Sequence, residues 1–515
     1  MAPKVIAAVR DFVLGPARRS ATSLHQPPLP PPPPYLAFRS STAFITFAVC
    51  LAIFTDIFFY GLIVPVIPFS LTAQVGISDD EIQQWTAILL ACYNATLFVG
   101  SPFAGWYADR TSSRRWPFLL GLFALAGSTL LLCLGTAIWV LVLGRLLQGL
   151  SAAVVWSVGL ALLVDTMGKD VGQAMGYVNI AIAVGLLISP VIGGAVYAGA
   201  GYYAVYYVAF ALLCCDIVLR LVLIEKKVAQ QWLETPCASA SAGTGAEDTE
   251  SHPGSVPVPA EGSRDRSSAD GPSPRLGERR HRPHWDLIKS KRIMAVLVGV
   301  VIEGVVVYSC DTVLPIFVKD TFHWNSTAAG LVFICLMVPA FASPVVGILA
   351  DRYGAKWLTF SGFALSIPLL VCLRFVTDNT IEHKVLLCAL LTLLGATLTT
   401  LANTPLLAAM TYAIDDKEVR HPGRWGEKGV YGIAYGLWTM AFALGGTIGS
   451  LMSGYINDGP GWGTLTWTLA IWSAAGSVVA FGLGSAPSTR DKEQSSPADL
   501  EPLPAPATGP QSAAL

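Results

Sequence analysis

The chain has 515 residues, of which 53% are hydrophobic and only 13% are charged, and its formal net charge is −1. This composition, with a mean hydropathy of +0.56, excludes a set of soluble domains and predicts a protein that crosses the membrane several times. It also excludes a nucleic-acid-binding surface, because the chain has no basic excess.

Long apolar runs account for most of the chain. A bilayer crossing needs about 20 mostly apolar residues, and twelve runs reach that length, six on each side of a long polar segment. We therefore predict an all-α membrane protein with twelve transmembrane helices in two pseudo-symmetric halves. The runs cover residues 42–68, 85–107, 117–136, 138–164, 174–198, 203–224, 293–317, 327–350, 357–376, 384–413, 430–456 and 463–484.

The polar segments divide the chain into five parts. Residues 1–41 form a Pro-rich N-terminal arm, and residues 42–227 form the first six-helix half. Residues 228–290 are rich in Ser, Pro, Arg and Glu, which is too polar for a core, so a disordered linker is predicted there. Residues 291–485 form the second half, and residues 486–515 form a disordered tail.

Basic residues fix the expected orientation. Nearly all Lys and Arg residues outside the predicted helices lie in the arm, the linker, the tail or loops on the same side, whereas only Lys319, Arg374 and Lys384 lie on the other. The positive-inside rule then places both termini in the cytosol. Both the plasma membrane and a vacuolar or vesicular membrane are compatible with this orientation.

One ten-residue motif occurs twice, at equivalent positions in the two predicted halves. Residues 101–110 read SPFAGWYADR and residues 343–352 read SPVVGILADR, at the ends of the second and eighth predicted helices. The first and seventh helices also correspond to each other, because Asp56 and Glu303 each lie twelve residues before the proline that ends the run. A repeated six-helix unit explains both observations.

The segments GILADRYGAK (347–356) and GWYADRTSSRR (105–115) resemble the loop of the major facilitator superfamily that reads Gly-x-Leu-Ala-Asp-Arg-x-Gly-Arg-Lys, with Ser112 replacing the second Gly. The resemblance covers most of the chain outside the tails and linker. It implies a gate latch in which Asp109 braces the eleventh helix and Asp351 the fifth. The latch residues would be Gly105, Asp109, Arg110, Gly347, Asp351 and Arg352.

Two further motifs lie inside predicted helices. Arg145 and Gln148 are one turn apart in the fourth, and an intramembrane Arg is costly unless it is paired or hydrated. The family has the same Arg-x-x-Gln-Gly pattern here, which implies a part in proton transfer; an Arg that serves packing alone is the alternative.

The fifth helix reads GLLISPVIGG (185–194), where the proline removes a backbone hydrogen bond and the glycines permit close packing. It resembles the Gly-x-x-x-Gly-Pro-x-x-Gly-Gly motif of exporters that exchange substrate for protons, except that Ser189 replaces the second Gly. The matching residues are Gly185, Pro190, Gly193 and Gly194.

Three acids lie inside predicted helices and are candidates for binding protons or substrate. Burial favours the neutral form of a carboxylic acid, so Asp56 could hold a proton and release it when a cation arrives. Glu303 and Asp311 share the seventh helix, eight residues apart, and are expected near the same face. The segment DTVLPIF (311–317) resembles Glu-Pro-Ala-Leu-Pro-Ile-Trp of vesicular monoamine transporters, whose first-helix acid matches Asp56.

The likeness to monoamine transporters is incomplete, because Thr400 and Thr439 stand where their helix 10 and helix 11 aspartates are expected. A broader range of cations or drugs is therefore predicted. Tyr60, Trp156, Tyr412 and Trp438 are candidate pocket residues, whereas Asp216 and Arg220 on the sixth helix are expected to form a structural ion pair.

The combined prediction is a proton-coupled transporter that exports amphipathic or cationic small molecules by antiport, with no enzymatic activity. Its partners would be the substrate, protons and the lipid bilayer; no cofactor is needed beyond the proton gradient, and a monomer is expected. Two alternatives remain: a proton-coupled importer with the same fold, and a membrane receptor or scaffold that does not transport.

Overall fold

The computed structural model describes five ranges of the chain, and within them every regular element is helical. The first part of the predicted arm, most of the predicted linker, the tail and the loop between the tenth and eleventh helices lie outside the described residues. The described ranges are 32–110, 115–167, 171–233, 290–420 and 431–483.

The first half contains six long helices in the predicted order. The first begins after Ser41, whose side chain accepts a hydrogen bond of 3.2 Å from the backbone N–H of Phe44 and so caps the helix. It ends just before Pro65. The helices are α1 (Thr42–Ile63), α2 (Ile82–Arg110), α3 (Arg115–Leu134), α4 (Ile138–Met167), α5 (Val171–Ala200) and α6 (Tyr202–Val222).

The second half repeats this arrangement, but two of its helices change geometry part-way. The eighth contains a 3₁₀ segment at Val338–Ala342, and the tenth contains a π segment at Ala396–Ala402. Neither change was predicted. The helices are α7 (Lys291–Phe322), α8 (Ser326–Met337 and Ser343–Tyr353), α9 (Ala355–Leu373), α10 (Ile381–Gly395 and Asn403–Arg420), α11 (Tyr431–Asp458) and α12 (Trp462–Ala480).

The apolar character of the helices agrees with a membrane protein. In the described part of the chain, eleven helical stretches are long and apolar enough to cross a bilayer. Helix α11 lies outside that set although it has 28 residues, since it is rich in Gly, Ser and Thr. Its small residues allow the close helix contacts described below, so α11 completes the twelve predicted helices.

The two halves meet where α2 packs along α11 and where α5 packs along the first part of α8. At one end of the bundle, where α1 and α7 end, Gln84 Nε2 donates a hydrogen bond of 2.6 Å to Asp458 Oδ2. On the other interface, Ser326 Oγ donates a bond of 2.9 Å to the carbonyl of Gly194. We call this end of the bundle, which contains both of these hydrogen bonds, the sealed end.

Short helices at the opposite end tie the start of the chain to the end of α6. Arg39, in the helix Leu36–Arg39, donates from Nε to the Val222 carbonyl at 2.7 Å, and its own carbonyl accepts from Ile224 N at 3.1 Å. The helix Lys226–Leu233 then extends into the segment predicted as linker. Residues 234–289 of that segment lie outside the described ranges.

The expected ion pair in α6 is present and buried. Arg220 binds Asp216 through two hydrogen bonds, Nε to Oδ1 at 3.0 Å and Nη2 to Oδ2 at 2.8 Å. Its third nitrogen donates to the Phe118 carbonyl at 2.7 Å, and its guanidinium lies 3.8 Å from the centre of the Phe118 ring. The pair therefore joins α6 to the start of α3.

Candidate functional site

Asp56 is fully buried in α1 and is held from two other helices of the first half. Tyr93 on α2 donates its hydroxyl hydrogen to Asp56 Oδ2 at 3.3 Å, and the indole N–H of Trp156 on α4 donates to the same oxygen at 3.1 Å. The other oxygen, Oδ1, has no hydrogen-bond partner among the described residues. One face of the carboxyl group is thus fixed while the other stays available.

Asp311 on α7 is held by the opposite half of the protein. The hydroxyl of Tyr60 on α1 donates a buried hydrogen bond of 3.1 Å to Asp311 Oδ2. Because Tyr60 lies one turn after Asp56 on the same helix, α1 connects directly to both acids.

Aromatic rings fill the space around the two acids. The ring of Tyr60 lies 5.0 Å from that of Tyr93 and 5.6 Å from that of Tyr308, which in turn lies 5.3 Å from Phe442. Phe442 stacks on Trp438, one turn earlier on α11, with ring centres 5.3 Å apart. These five rings form a continuous aromatic cluster across α1, α2, α7 and α11, and such faces attract cations.

Arg145 on α4 is fully buried beside Gln148, and its Nη1 donates to the Gln148 side-chain oxygen at 3.0 Å. Its Nε and Nη2, and the amide nitrogen of Gln148, have no hydrogen-bond partner among the described residues. The guanidinium acts electrostatically on Tyr60 and Tyr93, which hold the two acids. The motif therefore lies near the two tyrosines that donate hydrogen bonds to the acids.

Glu303 is separate from this constellation. It is fully buried in α7, and neither of its carboxyl oxygens accepts a hydrogen bond from a described residue. The expected common face with Asp311 does not bring the two acids into one hydrogen-bonded group, because only Asp311 is bonded to Tyr60.

Sequence reasoning missed three residues of the aromatic cluster, Tyr93, Tyr308 and Phe442. Tyr93 lies in the run ACYNATLF, where two consecutive polar side chains interrupt an apolar helix, and Tyr308 lies three residues before Asp311. The interruption was the available signal for Tyr93. Of the predicted pocket residues, Tyr60, Trp156 and Trp438 are the ones placed at this site.

Comparison with known proteins agrees with this architecture. A family model described as Major Facilitator Superfamily matches residues 49–423. The chain belongs to the major facilitator superfamily. It is therefore a multi-pass membrane transporter of small molecules, not an enzyme.

Other major facilitator proteins resemble it along most of its length. "Uncharacterized MFS-type transporter C18.02" of Schizosaccharomyces pombe is 33% identical, covering 82% of this chain and 91% of the relative. "MFS-type transporter ppzB" of Metarhizium rileyi is 32% identical, covering 87% and 95%. The vesicular acetylcholine transporter of Drosophila melanogaster is 22% identical, covering 83% and 69%.

A solved structure has the same fold. The nucleoside transporter NupG superposes with a TM-score of 0.57, at 13% identity, covering 85% of this chain and 98% of NupG. Identity this low supports the fold alone.

The helix 5 motif of this major facilitator protein lies where α5 contacts α1 and α8. A Cβ on Gly193 would collide with the Leu62 backbone, and one on Gly194 with the Ser326 backbone. Gly185 faces Ile57 of α1, and Pro190 lies inside α5 with its carbonyl against Gly330 of α8. The motif thus permits close packing at the sealed end.

The predicted latch residues occupy the ends of α2 and α8 opposite the sealed end. The side chains of Asp109, Arg110 and Asp351 lie outside what the structure describes, so their predicted contacts stay predictions. Arg352 is exposed, and Gly347 faces Thr404 of α10. Gly105 has open space where a Cβ would lie.

Proposed function

We propose that this transporter exports amphipathic organic cations in exchange for protons, with the predicted cytosolic side as the side of substrate entry. Asp56 and Asp311 would each carry a proton or pair with the cation. Competition between a proton and a cation for the same buried carboxyl groups is sufficient for antiport, because binding of one requires loss of the other.

The observation that carries the proposal is how the two acids are held across the two halves. Each comes from a different half of the protein, and each is hydrogen-bonded by a tyrosine of the first half, Tyr93 or Tyr60. The two tyrosine rings contact each other. A substrate cation bound between the acids would therefore touch both halves, whose rocking motion gives alternating access.

The aromatic cluster supports a cationic substrate. It adds Tyr308, Phe442 and Trp438 to one side of the acids, and aromatic faces stabilise organic ammonium groups that lack hydrogen-bond donors. The likeness to a vesicular acetylcholine transporter is consistent with this chemistry. Arg145 would modulate the proton affinity of the acids through its buried charge.

The test uses purified protein in sealed vesicles with a panel of amphipathic cations and neutral drugs. We expect a cation to accumulate when the interior is acidic, with simultaneous proton release, and we expect Asp56→Asn to abolish both. Asp80→Asn, in the exposed 3₁₀ turn Asp79–Glu81, is the matched control and should behave as wild type. Accumulation driven by an alkaline interior would instead establish a proton-coupled importer, and transport without proton movement would contradict the antiport mechanism.

A further inference from the structure

Glu303 occupies the place in the second half that Asp56 occupies in the first. Each acid lies twelve residues before the proline that ends its predicted apolar run, Pro315 or Pro68. Their surroundings differ, however. Asp56 receives hydrogen bonds from two donors, whereas neither oxygen of Glu303 has a partner among the described residues.

The described side chains of the helices packed against α7 supply no charge that compensates Glu303. On either side of it, Gly299 faces Leu406 of α10, and the backbone at Gly304 touches α11 near Phe442. Helices α2, α8, α10, α11 and α12 contact α7, and none of their described ionisable groups acts on the carboxyl. The described groups on these helices include Tyr93, Cys335, Tyr412, Asp416, Lys417, Tyr455 and Asp458.

A carboxylate in such surroundings has no donor to replace the water that it loses on burial. The free-energy cost of an isolated buried charge is so large that the group takes its neutral form instead. We propose that Glu303 is an additional proton-binding site, distinct from Asp56 and Asp311, that is protonated in this conformation and does not contact the substrate. This role in coupling rests on the proposed antiport.

Release of the proton requires another conformation. The O–H bond of the carboxylic acid breaks when water reaches the group, the proton passes to that water, and a hydrated carboxylate remains. Because α7 packs tightly on α11 here, water reaches Glu303 only when these helices shift. The protein would then move more protons per substrate molecule than Asp56 and Asp311 exchange alone.

Infrared difference spectroscopy of the full-length protein during a pH titration tests the protonation state without any substrate. We expect wild type at neutral pH to show the carbonyl band of a carboxylic acid without hydrogen bonds, and we expect Glu303→Gln to lose it. Glu382→Gln, at an exposed helix start, should retain the band. Glu303→Leu, which removes the polar group altogether, provides a second variant if the amide impairs folding. A spectrum that is identical in wild type and both Glu303 variants would overturn the proposal.

Transport of tetraphenylphosphonium tests the role in coupling. We expect the number of protons moved per cation to fall by about a third in Glu303→Gln while cation binding is unchanged, because one of three linked proton sites is lost. A ratio of protons to cations unchanged from wild type would show that Glu303 contributes no proton during transport. If no panel compound moves protons in wild type, the antiport proposal fails, whereas the infrared result still decides whether Glu303 holds a proton.

Discussion

Tyr60 on α1 and Asp311 on α7 join the two halves of the transporter through one buried hydrogen bond of 3.1 Å. The acid belongs to the second half, but its donor belongs to the first. Any rocking motion that separates α1 from α7 must break this bond. On the proposed antiport, the protonation of Asp311 would therefore be linked to the conformation of the whole protein.

Replacing Tyr60 with Phe removes the hydroxyl and leaves the ring in place. A lost hydrogen bond to a buried acid costs about 1–3 kcal/mol, so we expect substrate-driven proton movement to fall by about fivefold or more. The same loss should lower the thermal unfolding midpoint by no more than this one bond contributes, since the ring still contacts Tyr93 and Tyr308. Proton flux in sealed vesicles measures the first effect, and tryptophan fluorescence on heating measures the second.

Tyr203→Phe is the matched control, because this tyrosine is exposed on the outer surface of α6. It should transport as wild type does. Equal proton fluxes for the Tyr60 and Tyr203 variants would show that the contact between the halves has no part in coupling.

The ion pair between Asp216 and Arg220 makes a prediction about stability. Asp216→Asn leaves the buried guanidinium without its anion, which should reduce the free energy of unfolding by about 3–5 kcal/mol. Replacing both residues with Leu should recover most of this loss, because no buried charge then remains. Thermal unfolding in detergent compares the variants. Asp378→Asn, in an exposed pair with His383, should have little effect.

The sequence predicted the fold well because a bilayer imposes one simple requirement, a long apolar helix for each crossing. Twelve runs became twelve helices, with ends that differ by a few residues. Helix α7, for example, continues past the predicted end at residue 317 to Phe322, and His323 ends it in the left-handed conformation. The 3₁₀ and π segments escaped prediction, since composition does not distinguish them from regular helix.

The candidate site was only partly predictable. Asp56, Arg145 and Asp311 stood out because charged side chains inside apolar runs are rare. Tyr93 and Tyr308 did not, because a tyrosine in a membrane helix is ordinary until its hydroxyl is seen to face an acid or its ring a neighbouring ring. Which helices face each other depends on long-range packing, and the spacing along one helix does not contain that information.

Substitutions at two glycines of helix α11 are expected to have opposite effects on stability. A Cβ on Gly445 would collide with the Val301 carbonyl of α7, whereas one on Gly436 meets no atom within 4 Å. Gly445→Val should therefore force α7 and α11 apart and cost about 1–3 kcal/mol of stability. Gly436→Ala should stabilise the helix by about 0.5–1 kcal/mol. Thermal unfolding of both variants tests this, and a loss of stability in both would contradict the described contact.

The sealed end depends on a polar contact between α2 and α11. Gln84 binds Asp458 across the two halves, and directly inside it Gly454 packs against Ala87, which is buried. If the seal opens during transport, a cysteine at position 87 becomes accessible from that side. The accessibility of this position therefore reports the state of the seal.

Gln84→Glu replaces the hydrogen bond with two facing carboxylates, and their repulsion should shift the protein towards a conformation open at this end. We expect a membrane-impermeant maleimide to label Ala87→Cys faster in this variant, in a chain whose native cysteines are replaced by serine. High salt should reduce the difference, because both side chains are exposed and their charges are screened. Gln84→Ala removes the bond without adding charge and should have a smaller effect. Equal labelling rates for the Glu and Ala variants at low salt would show that repulsion at this contact does not control the seal.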